Sequence, residues 1–237
     1  AAFAMTTFGL MMSITKMLFG AEKTRQSHRY MERAVDIVGE LVAEHKLECD
    51  YERPGLLRIA TTPAYVKRIK EEVHLVKELG LTGVDWIEAD EVQKRVKSPL
   101  YMGAWWEPRC SLVNPAKLAR EMKRVAVKYG AEVYERTPVT EIKRSAQGFT
   151  VKTPKATVSA EKIVLATNAY SLVIPELKAM QQPVWTYIVL TEPLSKSQLD
   201  DMGWQGREGI EDYRNMVHYY RLTPDNRLLM GGRDISV

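Results

Sequence analysis

The run His218-Tyr219-Tyr220-Arg221 sets an imidazole, two phenols and a guanidinium on consecutive positions. On an extended strand, alternation puts Tyr219 and Arg221 on one face and His218 and Tyr220 on the other. A guanidinium beside a phenol suits a carboxylate, because the Arg fork donates two parallel hydrogen bonds. The same pattern describes a sheet-edge ion pair among ordinary packing aromatics. Trp185 and Tyr187 share a face of a second expected strand, where they either line an apolar pocket or fill a core. A second place for chemistry is Ile163–Ala166, which runs into Thr167-Asn168-Ala169. A continuous apolar run reads as a strand covered on both faces. Ligands of open α/β sheets lie at such carboxyl ends. There Ala166, Thr167 and Ala169 leave backbone N–H groups accessible, and Asn168 tolerates an unusual backbone angle. An ordinary exit from strand to loop would look the same.

Other chemistries find no support. The 237 residues contain two cysteines, Cys49 and Cys110, and four histidines, His28, His45, His74 and His218. None has metal-ligand spacing, and no HExxH, CxxC or P-loop pattern occurs. Two distant cysteines read as buried free thiols in a reducing, cytoplasmic setting. Net charge is +4, with 34 basic residues spread among 30 acidic ones. No basic block alternates with aromatics, so nucleic acid is not an expected partner. Residues 1–20 are apolar and Met-rich. They lack a basic segment in front and are interrupted by Thr, Gly, Ser and Lys, so they read as an internal buried segment rather than a membrane span.

The elements that must position these groups follow from periodicity. Apolar residues at three- and four-residue steps from Tyr30 to Val42 predict an amphipathic helix over 21–47. Thr62 and Pro63 open a helix that Gly80 closes, with Val66, Ile69, Val73, Val76 and Leu79 inward. A strand at 56–60 precedes it. A strand end and short helix capped by Asp90 follow at 85–95. Gly103–Trp106 reads as a strand whose adjacent indoles point to opposite faces. Asn114 and Pro115 start a helix to Tyr129 with Leu118, Met122, Val125 and Tyr129 inward. Short strands are expected at 131–135, 139–144, 148–153, 156–159 and 162–166, then at 183–193. A hairpin over 216–232 turns at Thr223-Pro224-Asp225-Asn226.

Taken in order, "NPAKLAREMKRVAVKYGAEVYERTPV", a β-meander, "KIVLATNAYS", "VLTEPLS" and "YYRLTPDNRLLMGGRD" resemble the D-amino-acid oxidase type of FAD-dependent oxidoreductase. That superfamily includes glycine, sarcosine and γ-glutamylputrescine oxidases, and the chain is similar to the last of these branches. The resemblance implies an α/β fold of two domains, with a mixed β-sheet on the substrate side. Residues 1–50 and 107–170 would form part of an FAD-binding domain. Residues 51–106 and 171–237 would form part of a substrate-binding domain. It places Val139 at the adenine half of FAD and Ala166, Thr167, Asn168 and Ala169 along its ADP portion. Ala1, Ala2 and Phe3 fall where the family passes near flavin and pyrophosphate, with Ala standing in place of Gly.

No GxGxxG fingerprint occurs, so the chain is expected to be a fragment lacking the N-terminal dinucleotide motif and the C-terminal flavin-binding segment. The implied activity is oxidation of a C–N bond in an amine or amino acid, by hydride transfer to flavin and imine hydrolysis. In that reading Arg221 and Tyr219 anchor a substrate carboxylate, and His218, Tyr220, Trp185 and Tyr187 shape the pocket. No residue is assigned to catalysis, because flavin performs the difficult step. The alternatives are a cofactor-free binding or interaction remnant, and a flavin dehydrogenase for hydroxy acids or glycerol phosphate.

Overall fold

The computed structural model describes residues 2–7, 9–183, 186–214 and 217–232. The chain forms two compact units, residues 1–125 with 186–237, and residues 126–185.

In the first unit the elements run β1 (Ala2–Ala4), α1 (Met12–His45), β2 (Leu56–Ile59), α2 (Pro63–Glu78), β3 (Asp85–Glu88), α3 (Ala89–Arg95), β4 (Gly103–Glu107), β5 (Ser111–Val113) and the start of α4 (Pro115–Lys128). The second unit holds β6 (Glu141–Ser145), β7 (Gly148–Lys152), β8 (Thr157–Ala160), a 3-10 turn (Asn168–Val173) and α5 (Pro175–Lys178). The chain then returns to the first unit with β9 (Tyr187–Leu190), α6 (Lys196–Met202), β10 (Gly209–Asp212), β11 (Tyr219–Leu222) and β12 (Leu228–Gly232).

The first unit is built on a seven-stranded sheet, β3-β4-β2-β10-β11-β12-β9. The β2–β10 pair is parallel and its other pairs are antiparallel, so the sheet is mixed. Period-2 alternation divides its side chains between two faces. One face carries Trp106, Leu57, Ile210 and Tyr220, buried with Val92, Val96 and Trp204. The other carries a cross-strand row: Trp86, Trp105, Arg58, Glu211, Tyr219, Gly231, Ile188. Helix α2 covers the Trp105 end of that row through Ile69, Val73 and Val76. Burying several such side chains, at about 1.5–3 kcal/mol each, fixes the helix to the sheet.

Local signals explain the ends of α2. Thr62 Oγ1 accepts from the Tyr65 N–H, Pro63 occupies the first turn, and Gly80 has φ of 66°. Asn114 Oδ1 likewise accepts from the Lys117 N–H at 3.2 Å. The adjacent indoles divide as alternation requires, Trp105 into one core and Trp106 against the other.

Several expectations are corrected. Residues 162–166 form no strand, and Val164 and Leu165 are 88% and 43% exposed. Apolar composition alone does not make a strand, and this segment has no ladder partner among the described residues. Residues 131–135 also form no strand. Residues 1–20 are not a buried segment: β1 pairs with β5, α1 begins at Met12, and Met17, Leu18 and Phe19 are exposed. Met122 and Tyr129 are exposed rather than inward. The short helix takes Glu88, not Asp90, at its N-cap, without a side-chain bond. Strand β5 and strand β10 add two elements that periodicity does not reveal in such short segments.

Candidate active site

A cavity of about 450 Å³ opens over the sheet face that carries Trp105, Arg58 and Glu211. All three line it, with the chain between Thr6 and Thr15 on one side and α2 residues Arg68 and Glu72 on another. That volume lies in the range of small-molecule sites.

The floor is an ion pair set by strand register. Arg58 of β2 and Glu211 of β10 are parallel-strand partners, and Nε donates to Oε1 at 2.5 Å. Both side chains are largely withdrawn from water, 14% and 13% exposed. Arg58 Nη2 also donates to Thr7 Oγ1 at 2.8 Å, and the guanidinium lies 5.2 Å from the Trp105 ring centroid. Burial opposes the charge on Arg58, but the Glu211 carboxylate outweighs it and holds the guanidinium above its ordinary pKa. Glu211 Oε2 makes no hydrogen bond among the described residues and is not sealed from solvent.

Glu107 lies one step away on the same face of β4. It is wholly buried; Oε1 accepts from the Thr6 N–H at 2.9 Å and Oε2 has no partner. Burial pushes this carboxyl above its usual range, and the Thr6 N–H and Arg58 offset only part of the effect.

The walls are also held by polar contacts. No side chain of Met11 caps α1. Glu72 of α2 does so instead, with Oε2 accepting from Met12 N–H at 3.0 Å and Oε1 from Ser13 N–H at 3.3 Å. A carboxylate at a helix N-terminus satisfies otherwise unpaired amides and meets the positive end of the dipole. The Tyr213 hydroxyl donates to Met11 Sδ at 2.9 Å, and its ring meets Tyr65 edge-on at 5.8 Å. Burial lowers the pKa of His28, which lines the cavity as the neutral imidazole.

None of the described residues expected to bind substrate lines this cavity. Tyr219 is the next residue along the row from Glu211. Its ring meets Phe3 edge-on at 6.5 Å, and a β-carbon on Gly231 would stand 2.3 Å from it. Arg221 shares that face but is 5% exposed, and its Nε has no hydrogen-bond partner among the described residues. Burial lowers its pKa, opposed by Glu52 and Asp50. Tyr220 points to the opposite face, where its hydroxyl meets that of Tyr101 at 2.6 Å and its ring abuts Trp204. His218 Nδ1 lies 3.0 Å from Asp212 Oδ2, and Asp212 also pairs with Arg214. Tyr187 is 68% exposed on the sheet's edge strand, so it neither fills a core nor lines this cavity. Trp185 and Ala1 lie outside the described residues.

Of the expected cofactor contacts, Ala2 and Phe3 lie in β1 of the first unit. Val139 and the corner Ala166, Thr167, Asn168 and Ala169 lie in the second. Val139 is 52% exposed. Ala166, Asn168 and Ala169 are exposed, and Asn168 takes φ of 47°. Within the corner, Thr167 Oγ1 meets Ser171 Oγ at 2.6 Å.

Sequence reasoning missed Arg58, Trp105 and Glu211 as a group. The available signal was a lone charge inside the apolar strand "LLRI" and an acidic pair, Glu211 and Asp212, at the end of "GIED".

The family model for FAD-dependent oxidoreductases matches residues 6–237. The chain belongs to this family of FAD-dependent oxidoreductases. It is 30% identical over 216 residues to gamma-glutamylputrescine oxidoreductase of Escherichia coli K12, covering 90% of this chain and 50% of that protein. It is 32% identical over 119 residues to glycine oxidase of Bacillus licheniformis, covering 49% of this chain and 31% of the relative. The fold is similar to that of glycine oxidase from Geobacillus kaustophilus, with a TM-score of 0.71 at 19% identity, over 98% of this chain and 59% of that one. L-proline dehydrogenase from P. horikoshii gives a TM-score of 0.71 at 19% identity, over 88% and 55%. The chain spans about half the length of the longest-matching curated relatives. As a member of the FAD-dependent oxidoreductase family it has FAD as its cofactor. At the corner 166–169 the exposed side chains, Ala166, Asn168 and Ala169, are small, which suits the close approach of an extended ligand. No described helix is long and apolar enough to cross a membrane.

Proposed function

We propose that the gene product containing this chain oxidises a C–N bond of an amine or amino acid. The observation that carries this reading is the cavity floored by Arg58, Glu211 and Trp105, in a chain of this family. FAD, when bound, would supply the hydride acceptor for oxidation at the carbon beside nitrogen, leaving an imine that water hydrolyses. The protein's part is to bind, orient and desolvate.

In this reading Ala166, Thr167, Asn168 and Ala169, with Val139, hold the dinucleotide portion through backbone contacts. The seven-stranded sheet is the substrate side. Glu211 accepts a hydrogen bond from the substrate nitrogen, Arg58 holds that carboxylate in place, and the Trp105 indole keeps water off the reacting carbon. Arg221, sealed beside Glu52 and Asp50, serves as a counter-charge rather than as the carboxylate anchor. Tyr219 and Phe3 brace the floor, and Tyr220, tied to Tyr101, braces its reverse side. The buried free thiols Cys49 and Cys110 support a reducing, cytoplasmic setting.

The test is a substrate panel on the purified gene product, with an artificial electron acceptor. Amines, amino acids, hydroxy acids and glycerol phosphate are compared by acceptor reduction and by carbonyl and ammonia release. Turnover confined to compounds with a C–N bond is expected. Turnover of hydroxy acids or glycerol phosphate alone would replace the reading with that of a dehydrogenase. No turnover with any compound would favour the remnant without catalysis.

A further inference from the structure

The charges lining the cavity are nearly all spoken for. Arg58 is paired with Glu211 and Thr7. Both oxygens of Glu72 accept backbone N–H groups of α1. Asp212 is shared between Arg214 and His218. Two charged groups remain open. Glu211 Oε2 has no hydrogen-bond partner and keeps access to solvent. Arg68, exposed on α2, lines the cavity and makes no hydrogen bond or ion pair among the described residues. Tyr65, Arg68 and Glu72 fall at three- and four-residue steps on α2 and so share one helix face. Tyr65 and Glu72 both reach this wall, Tyr65 through Tyr213 and Glu72 through the start of α1.

Among the described residues the cavity thus has one free anionic oxygen on its floor and one free cation on its wall. Leu10, Met11, Ile14 and Trp105 supply apolar lining. Its volume of about 450 Å³ exceeds what glycine fills and falls in the range of small-molecule sites. We infer that the cavity takes an extended amine whose far end carries a carboxylate, its nitrogen meeting Glu211 Oε2 and its carboxylate meeting Arg68. This specificity rests on the proposed amine oxidation, and Arg68 is its determining residue. An Arg presents a planar two-donor edge to a carboxylate, which an amide or methyl terminus does not match.

The test measures binding to the full gene product by calorimetry under anaerobic conditions. The probes are 6-aminohexanoate, 6-aminohexanamide and hexylamine, with turnover of each measured separately. Expected is about fivefold tighter binding of 6-aminohexanoate than of the other two, the scale of a partly exposed ion pair. Arg68→Met should erase that preference, and Arg68→Lys, which keeps the charge but not the planar fork, should keep only part of it. Arg68 is exposed, so neither variant threatens the fold. Equal affinity for all three probes, no binding of any, or a preference that survives in Arg68→Met would overturn the inference. Discrimination by binding without oxidation of any amine would leave Arg68 as the anchor and remove the proposed activity. Oxidation of amines without discrimination would do the reverse.

Discussion

Arg58 and Glu211 are 153 residues apart in the chain, yet they are register partners on adjacent parallel strands and meet in an ion pair on the cavity floor. The pair links the two halves of the first unit's sequence at the point where substrate would lie. Removing one member leaves the other charge largely buried without a partner.

Arg58→Met should therefore destabilise the protein by ~3 kcal/mol, the scale for breaking a buried pair from one side. The double variant Arg58→Met/Glu211→Leu should cost less than the sum of its single variants, since neither charge is then stranded. Denaturant unfolding of the four proteins measures the coupling. Additive losses would mean the pair contributes no interaction of its own.

Glu107 gives a pH signature of definite sign. Its folded pKa is raised by burial, so the folded state holds this proton more tightly than the unfolded chain. Below the ordinary carboxylate range both states are protonated and the full contribution is present. As pH rises through that range and on to the raised folded pKa, the contribution is lost. Glu107→Gln should remove this loss. The stability of wild type relative to Glu107→Gln should fall with rising pH and level off once the folded pKa is passed. Urea unfolding at a series of pH values checks it; a difference that rises with pH would contradict the assignment.

Tyr219 lies over Gly231, its register partner, with no room for a β-carbon between them. Gly231→Ala should cost roughly 1–3 kcal/mol by overpacking, and Tyr219→Ser in the same protein should relieve most of it. Thermal unfolding of the single and double variants reads this directly. Equal melting temperatures for wild type and Gly231→Ala would show that the ring moves freely.

These particulars also show what the sequence makes legible. Helix α2 could be bounded almost to the residue because Thr62, Pro63 and Gly80 act locally, on amides within one turn. The meander at 141–160 and the hairpin at 219–232 were legible for the same reason. The segment 162–166 was not. Its apolar run matches a covered strand, but pairing is decided by partners that local composition does not display, and the segment is exposed. The Arg58–Glu211 pair escaped notice on similar grounds. "HYYR" concentrates polar groups in one stretch and draws attention, while Arg58 and Glu211 stand in separate short strands. Their meeting depends on the parallel β2–β10 pairing, a long-range contact no single stretch encodes. The family resemblance was legible because several short patterns recur in a fixed order, and the match over residues 6–237 bears it out.

The most direct measurement of the central claim is the visible absorbance of the purified gene product under anaerobic conditions, before and after substrate. The account predicts bound oxidised flavin whose colour bleaches on adding an amine or amino acid and persists with hydroxy acids or glycerol phosphate. A colourless protein that takes up no FAD, or a flavin bleached by hydroxy acids but not by amines, would contradict it.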